Sequence, residues 1–300
     1  MTTSPPSGGR AAFSPGARAM LGAALAFSVM SVLVKLAGER LPTAQIVLAR
    51  GVVTLVMSAW GIHRAGLSFA GKKKGLLLLR GAFGFGGLFC YFYAVTHLPL
   101  ADATVLHFVN PVLSALAAAL VLKERFTLAD VLGALACLAG VVLVSRPSFL
   151  FGAGTLDPFA VAIALLGALF AACAYVTVRS LRASDDPLVI VFYFPLVAVP
   201  ATLPFAIPAW VWPSPLEWLV LLGVGVATQI GQVQMTRALH LESTARATTI
   251  SYAQVLFAFG WGLALFDEVP TVFSVAGALA IALGVIGVAR AKQAPSYGPS

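Results

Sequence analysis

Charged residues are scarce in this chain. Asp, Glu, Lys and Arg together make up 10% of its 300 residues, against about 25% in soluble globular domains, which excludes a soluble globule. Cysteine is nearly absent. Cys90, Cys137 and Cys173 stand singly inside apolar runs, without the spacing of a metal site or a redox couple, so each reads as a small buried hydrophobe. Alternating segments of about 10 residues, the mark of a membrane β-barrel, are missing as well. The glycine-rich stretch from Gly81 to Gly87 lacks the strand context and the lysine of a phosphate loop. Inside a span its small residues serve close helix approach or a flexible point for gating. No zinc-protease, hydrolase or kinase motif occurs, so neither catalysis nor a cofactor or metal is expected.

Acids are absent where a membrane pump would use them. All 11 (Glu39, Asp102, Glu124, Asp130, Asp157, Asp185, Asp186, Glu217, Glu242, Asp267 and Glu268) fall in links or within about a turn of an expected helix end. Proton and sodium relays commonly run through intramembrane carboxylates, and this chain offers none.

What is present is long apolar runs. Hydrophobic residues are 60% of the chain and the mean hydropathy is +0.95, with runs near the roughly 20 residues that cross a bilayer as a helix. We read ten helices, at about 18–38, 43–63, 75–96, 100–121, 128–146, 157–180, 187–207, 216–238, 244–266 and 270–290. The links leave no room for a soluble domain. Residues 1–16 and 291–300 are rich in Pro, Ser and Gly and read as disordered tails.

The helices are written twice. Shifted by 144 positions, Ala103-Thr104 falls on Ala247-Thr248, Glu124 on Glu268, Gly133 on Gly277 and Gly140 on Gly284. The first helix matches the sixth at the same offset (Lys35 on Arg179), which argues against reading it as a cleaved signal peptide. A unit with an odd number of spans re-enters the bilayer upside down. The expected fold is therefore an all-α polytopic membrane protein, ten transmembrane helices as two inverted five-helix repeats, residues 17–147 and 157–290. Such repeats hold a substrate at their interface near the midplane. Of the 19 Lys and Arg, 14 fall on one side, Arg40 and Arg146 on the other, and Lys35, Arg50 and Arg80 within spans. By the positive-inside rule both termini are cytoplasmic. The net charge of +8 is then membrane topology and calls for no nucleic-acid partner.

Polar residues inside spans mark the candidate cavity. His107 and Asn110 share a face of the fourth helix with Thr104 and Ser114, and Pro111 frees a backbone carbonyl there and is the candidate hinge. Their counterparts on the ninth helix are Thr248, Ser251, Gln254 and Trp261, with Tyr252 beside them. The eighth helix adds Gln229, Gln232 and Gln234. The aromatic third helix adds Phe83, and Tyr175, Thr177, Ser28 and Ser31 complete the expected lining. Interhelical hydrogen bonding without substrate contact is the alternative use of the polar face. Arg50 reads either as a partner for a substrate carboxylate or as a tie to a carbonyl or headgroup, and Lys35 likewise. Arg80 reads as snorkelling to the headgroups.

The stretch from Tyr93 to Thr127, with Pro111 in mid-helix and Glu124 in the following link, resembles the drug/metabolite transporter superfamily in its ten-helix EamA-type branch. Glu268 and Arg50 match further positions of that pattern. Asn110, where many members carry an acid, and Val255, in place of a second proline, depart from it. The resemblance implies a monomeric exporter in the bacterial inner membrane, whose partners are the lipid bilayer and a small-molecule, amino-acid-like substrate. The bacterial aromatic and neutral amino acid exporters look most similar. With no buried acid, transport is expected to be facilitative, or coupled at most through His107. A sugar-phosphate or nucleotide-sugar carrier of the same superfamily is the alternative, and a membrane enzyme or scaffold is the alternative of a different class.

Overall fold

The computed structural model describes residues 13–152, 156–266 and 269–291. Residues 1–12 and 292–300 of the expected tails lie outside it, as do Asp267 and Glu268. Among the described residues every regular element is helical: α1 (Pro15–Ala37), α2 (Thr43–Arg64), α3 (Lys74–His97), α4 (Leu100–His107), α5 (Asn110–Leu122), α6 (Leu128–Ser145), α7 (Ser148–Phe151), α8 (Pro158–Ser180), α9 (Pro187–Ala206), α10 (Pro215–Leu241), α11 (Thr244–Ser251), α12 (Ala253–Leu265) and α13 (Val272–Arg290). Ten spans are long and apolar enough to cross a membrane, with α4–α5 and α11–α12 each forming one broken span.

Helix starts explain where the scarce acids go. Asp130 and Glu217 close capping boxes with Thr127 and Ser214, and Asp157 and Asp186 cap α8 and α9. Each satisfies N–H groups that would otherwise face a low-dielectric medium unpaired. Ser14 caps α1 in the same way, so the first span starts at Pro15, inside the expected tail.

Packing runs mainly between the repeats rather than within them. α1 lies on α10, and the 144-residue offset maps that pair onto α8 and α3, which also pack together. α2 with α9, and α6 with α13, are pairs that the offset maps onto themselves. Residues 144 apart meet on the pseudo-twofold axis. The Tyr252 hydroxyl donates to the Phe108 carbonyl at 2.7 Å, and the Cys137 thiol lies 3.7 Å from the Ile281 carbonyl. A Cβ on Gly140 would sit 2.6 Å from the Gly277 carbonyl oxygen, and one on Gly277 2.5 Å from that of Gly140. Helix association in lipid rests on van der Waals packing and interhelical hydrogen bonds, and glycine here permits the backbone approach that packing needs.

Ser14 donates to Glu242, and Arg246 reaches the carbonyls of Ala289 at 2.8 Å and Ala291 at 2.6 Å. The start of α1 and the end of α13 therefore share one face, the terminal face. Near it one continuous core includes Met20, Leu77, Leu181, Ile190, Ala238 and Ala247. Towards the opposite face the core divides into two walls. One holds Ala37, Ile46 and Leu221, the other Ala94, Ala103 and Ala164.

Candidate functional site

A cavity of about 290 Å³ lies at the centre, between the repeats. The break between α4 and α5 shapes one side of it. Pro111 has no N–H to offer the His107 carbonyl, and the Asn110 side-chain amide takes its place, donating at 2.9 Å. Asn110 is 4% exposed, and its Oδ1 has no partner. His107 rests against Tyr91, ring centroids 4.6 Å apart. Ser251, where α11 ends, and Gln254 on α12 also line the cavity. The ninth span breaks without a proline. Tyr252 closes a tight turn there, its N–H reaching the Thr249 carbonyl at 3.2 Å, and its hydroxyl pins that turn to Phe108.

The basic wall differs from expectation. Arg80 does not snorkel. It is 2% exposed, lines the cavity and donates to the Gln232 side-chain oxygen at 3.1 Å. Its Nε is buried without a partner. Gly84, one turn along α3, is the physical reason. A Cβ there would meet Arg80 Nη1 and the Phe194 ring, so glycine leaves the guanidinium room in this inward position. Arg50 enters from α2, and both guanidiniums approach the Phe194 ring, at 5.9 Å for Arg50 and 5.4 Å for Arg80. Lys35 lies elsewhere, 3.7 Å from the Phe266 ring centroid.

The cavity thus brings together Ser31, Arg50, His107, Asn110, Tyr175, Gln232, Ser251 and Gln254 of the expected residues. Five others lie outside this lining and turn to protein partners. Tyr252 is fully buried against Phe108. Thr248 donates to the Thr244 and Pro111 carbonyls. Gln229 accepts from Ser58 at 3.1 Å, the Trp261 indole donates to Ser28 at 3.1 Å, and Phe83 stacks on Phe170. Hydrogen-bonding capacity inside a membrane is met by neighbouring helices wherever they come within reach, and spacing along one helix does not say which neighbour that is. Sequence reasoning passed over Arg80 and Phe194. The signal for Arg80 was Gly84 four residues on, the position a side chain needs empty to bend into a helix contact.

Among the described residues no cluster of His, Cys, Asp and Glu could hold a metal ion. A profile of the EamA-like transporter family matches residues 14–146 and again 158–290. The pseudopaline exporter CntI of Pseudomonas aeruginosa is 36% identical over 90% of this chain and 94% of its own. Solute carrier family 35 member G1 of Mus musculus is 30% identical over 88% of this chain and 75% of its own. A crystal structure of a protein with 20% identity matches the fold at a TM-score of 0.80, covering 92% of this chain and 96% of the other. Two profile matches on ten spans arranged as two inverted repeats agree with the geometry, and this chain belongs to the EamA-like transporter family of the drug/metabolite transporter superfamily.

Proposed function

We propose that this protein exports amino acids or similar small metabolites across the bacterial inner membrane by alternating access. The observation that carries the reading is the unequal closure of two equivalent ends around one central cavity. The terminal face is sealed by a continuous core, whereas the opposite face is split into two walls. A carrier rocking about its repeat interface passes through such a state and its mirror image. The excess of Lys and Arg beside the terminal face supports a cytoplasmic terminal face, and the cavity then opens outward, the state in which an exporter releases its load. The similarity to the Pseudomonas aeruginosa exporter, along nearly the whole of both chains, supports the same direction.

The lining suits a molecule with a polar head and an apolar body. Guanidiniums and amides stand on some walls, and Phe27, Met30, Tyr91 and Phe108 on others. Among the described residues no acid lines the cavity, which supports movement down the outward gradient, or coupling at most through His107. Proteoliposomes loaded with labelled amino acids are the test. Efflux should proceed without a proton gradient, and unlabelled solute outside should drive counterflow. Strict dependence on ΔpH that survives His107→Ala would refute the facilitative mechanism, and absence of flux for all twenty amino acids would refute the substrate class.

A further inference from the structure

The charges in the cavity do not balance for a neutral amino acid. Arg50 and Arg80 both line it, no carboxylate among the described residues does, and both guanidiniums lean on the same Phe194 ring. Two cations taken out of water without an anion are unfavourable. A zwitterion brings one carboxylate but also its own ammonium, so it leaves the net charge of the wall unchanged. Gln232 meets one Nη of Arg80, and the buried Nε remains without a partner. A guanidinium presents its N–H groups as a planar fork matched to a carboxylate. On another wall Asn110 Oδ1 is also buried and without a partner, and it can only accept, which suits an ammonium or another N–H donor.

We propose that the cavity is built for a net-anionic solute with two carboxylates, one held by Arg80 and the other by Arg50, with any amino group on Asn110 Oδ1. The assignment rests on the exporter reading above and narrows its substrate class from amino acids and similar small metabolites to amino dicarboxylates and related dicarboxylic acids. Phe194 orients both forks by cation–π contact, and Gly84 keeps Arg80 turned inward.

The test uses the full-length protein in proteoliposomes, with L-glutamate, succinate, L-phenylalanine and glucose 6-phosphate as probes. L-Glutamate should be carried and succinate should compete with it, whereas L-phenylalanine should do neither. Arg80→Gln and Arg50→Gln should each weaken glutamate transport by roughly tenfold to a hundredfold, the range expected for a charge-assisted hydrogen bond, with Arg80→Lys intermediate. Gly84→Ala removes no charge but displaces the guanidinium, and should lower glutamate transport in the same direction. Thermal stabilisation of the detergent-purified protein gives an independent readout. Glutamate should raise the Tm of the wild type and not that of Arg80→Gln, and equal starting Tm values show that the variant folds. Arginine-dependent stabilisation by glutamate without flux would leave the site standing and overturn the exporter reading. Flux of phenylalanine with no binding of either dicarboxylate would leave the exporter standing and overturn the site. Displacement by glucose 6-phosphate at lower concentration than succinate would overturn the carboxylate assignment in favour of a phosphate.

Discussion

The two ends of the bundle are built from equivalent residues and packed differently. Ala238, Ala247, Ile190 and Leu77 belong to the continuous core near the terminal face. Their counterparts 144 positions away, Ala94, Ala103, Ile46 and Leu221, are the same residue types, yet they fall into two separate walls. The capacity to bury apolar area is thus matched at these positions, and it does not decide which end closes. Polar ties join the repeats at the terminal face. At the terminal face Glu124 accepts from Arg179 at 2.7 Å and from the backbone N–H of Thr244 at 2.8 Å, while Arg179 also reaches the carbonyls of Leu239 at 2.9 Å and His240 at 3.0 Å. At the opposite end the counterpart of Arg179 is Lys35, a point charge with no planar fork for several acceptors at once.

Removing Arg179 should therefore have the largest effect on this asymmetry. Arg179→Ala abolishes the mostly buried ion pair and two carbonyl contacts, a loss of roughly 3 kcal/mol or about a hundredfold in the balance between closed and open terminal ends. Tyr91 and Met235 are repeat counterparts that both line the cavity; Tyr91 is half-buried and Met235 is 4% exposed. Single cysteines at these two places, in a chain whose half-buried Cys173 is replaced by Ala, report the two ends through an impermeant maleimide. In the parent chain Tyr91→Cys should label from the face opposite the termini and Met235→Cys from neither. With Arg179→Ala, labelling of Met235→Cys from the terminal face should rise and that of Tyr91→Cys should fall. Unchanged rates at both would mean that the ties do not set the conformation.

The axis pair tests the same point at smaller scale. Tyr252 and Phe108 are counterparts, their rings stack with centroids 5.7 Å apart, and only one carries a hydroxyl. Tyr252 is fully buried and its hydroxyl fixes the Phe108 carbonyl. Tyr252→Phe strands that carbonyl and should loosen the terminal end by roughly 1 kcal/mol, about a fivefold rise in Met235→Cys labelling. Phe108→Tyr places a hydroxyl at the half-buried partner and should change little. Equal effects from both substitutions would show that the axis pair is symmetric in energy as well as in position.

Much of this architecture was legible in the sequence, because the bilayer imposes length, apolar composition and basic flanks on every span. The interrupted ninth span was not, since it breaks at Tyr252 with neither proline nor glycine, and the turn is held by a hydrogen bond to a residue 144 positions away. The short α7 was also unforeseen. It is held by Asp102, which accepts from the Ser148 N–H at 2.6 Å and the Ser148 hydroxyl at 2.5 Å. Within the candidate site the sorting of Gln232 into the cavity and of Gln229 onto Ser58 depended on which helix stands beside each face. That is tertiary information, as was the inward turn of Arg80. The polarity of the site could be read in advance, but not the direction of each side chain.

The smallest effect is expected where the open end is tied within one of its own walls. Arg40, in the link between α1 and α2, pairs with Glu217 at the start of α10 and donates to the Trp212 carbonyl at 2.9 Å. α1, α2 and α10 form a single wall of the split end, so this pair stiffens the wall without joining it to the other. The guanidinium is half-exposed, and ion pairs of that kind are screened by solvent and contribute little. The Glu217 carboxylate raises the pKa of an already permanent cation, and Arg40 in turn holds Glu217 in its ionised form, so the pair should not respond to pH near neutrality. Arg40→Ala should leave the labelling of both Tyr91→Cys and Met235→Cys within about twofold of the parent chain. A shift as large as that of Arg179→Ala would show that the stiffness of one wall, and not only the ties between the repeats, governs which end of the bundle is closed.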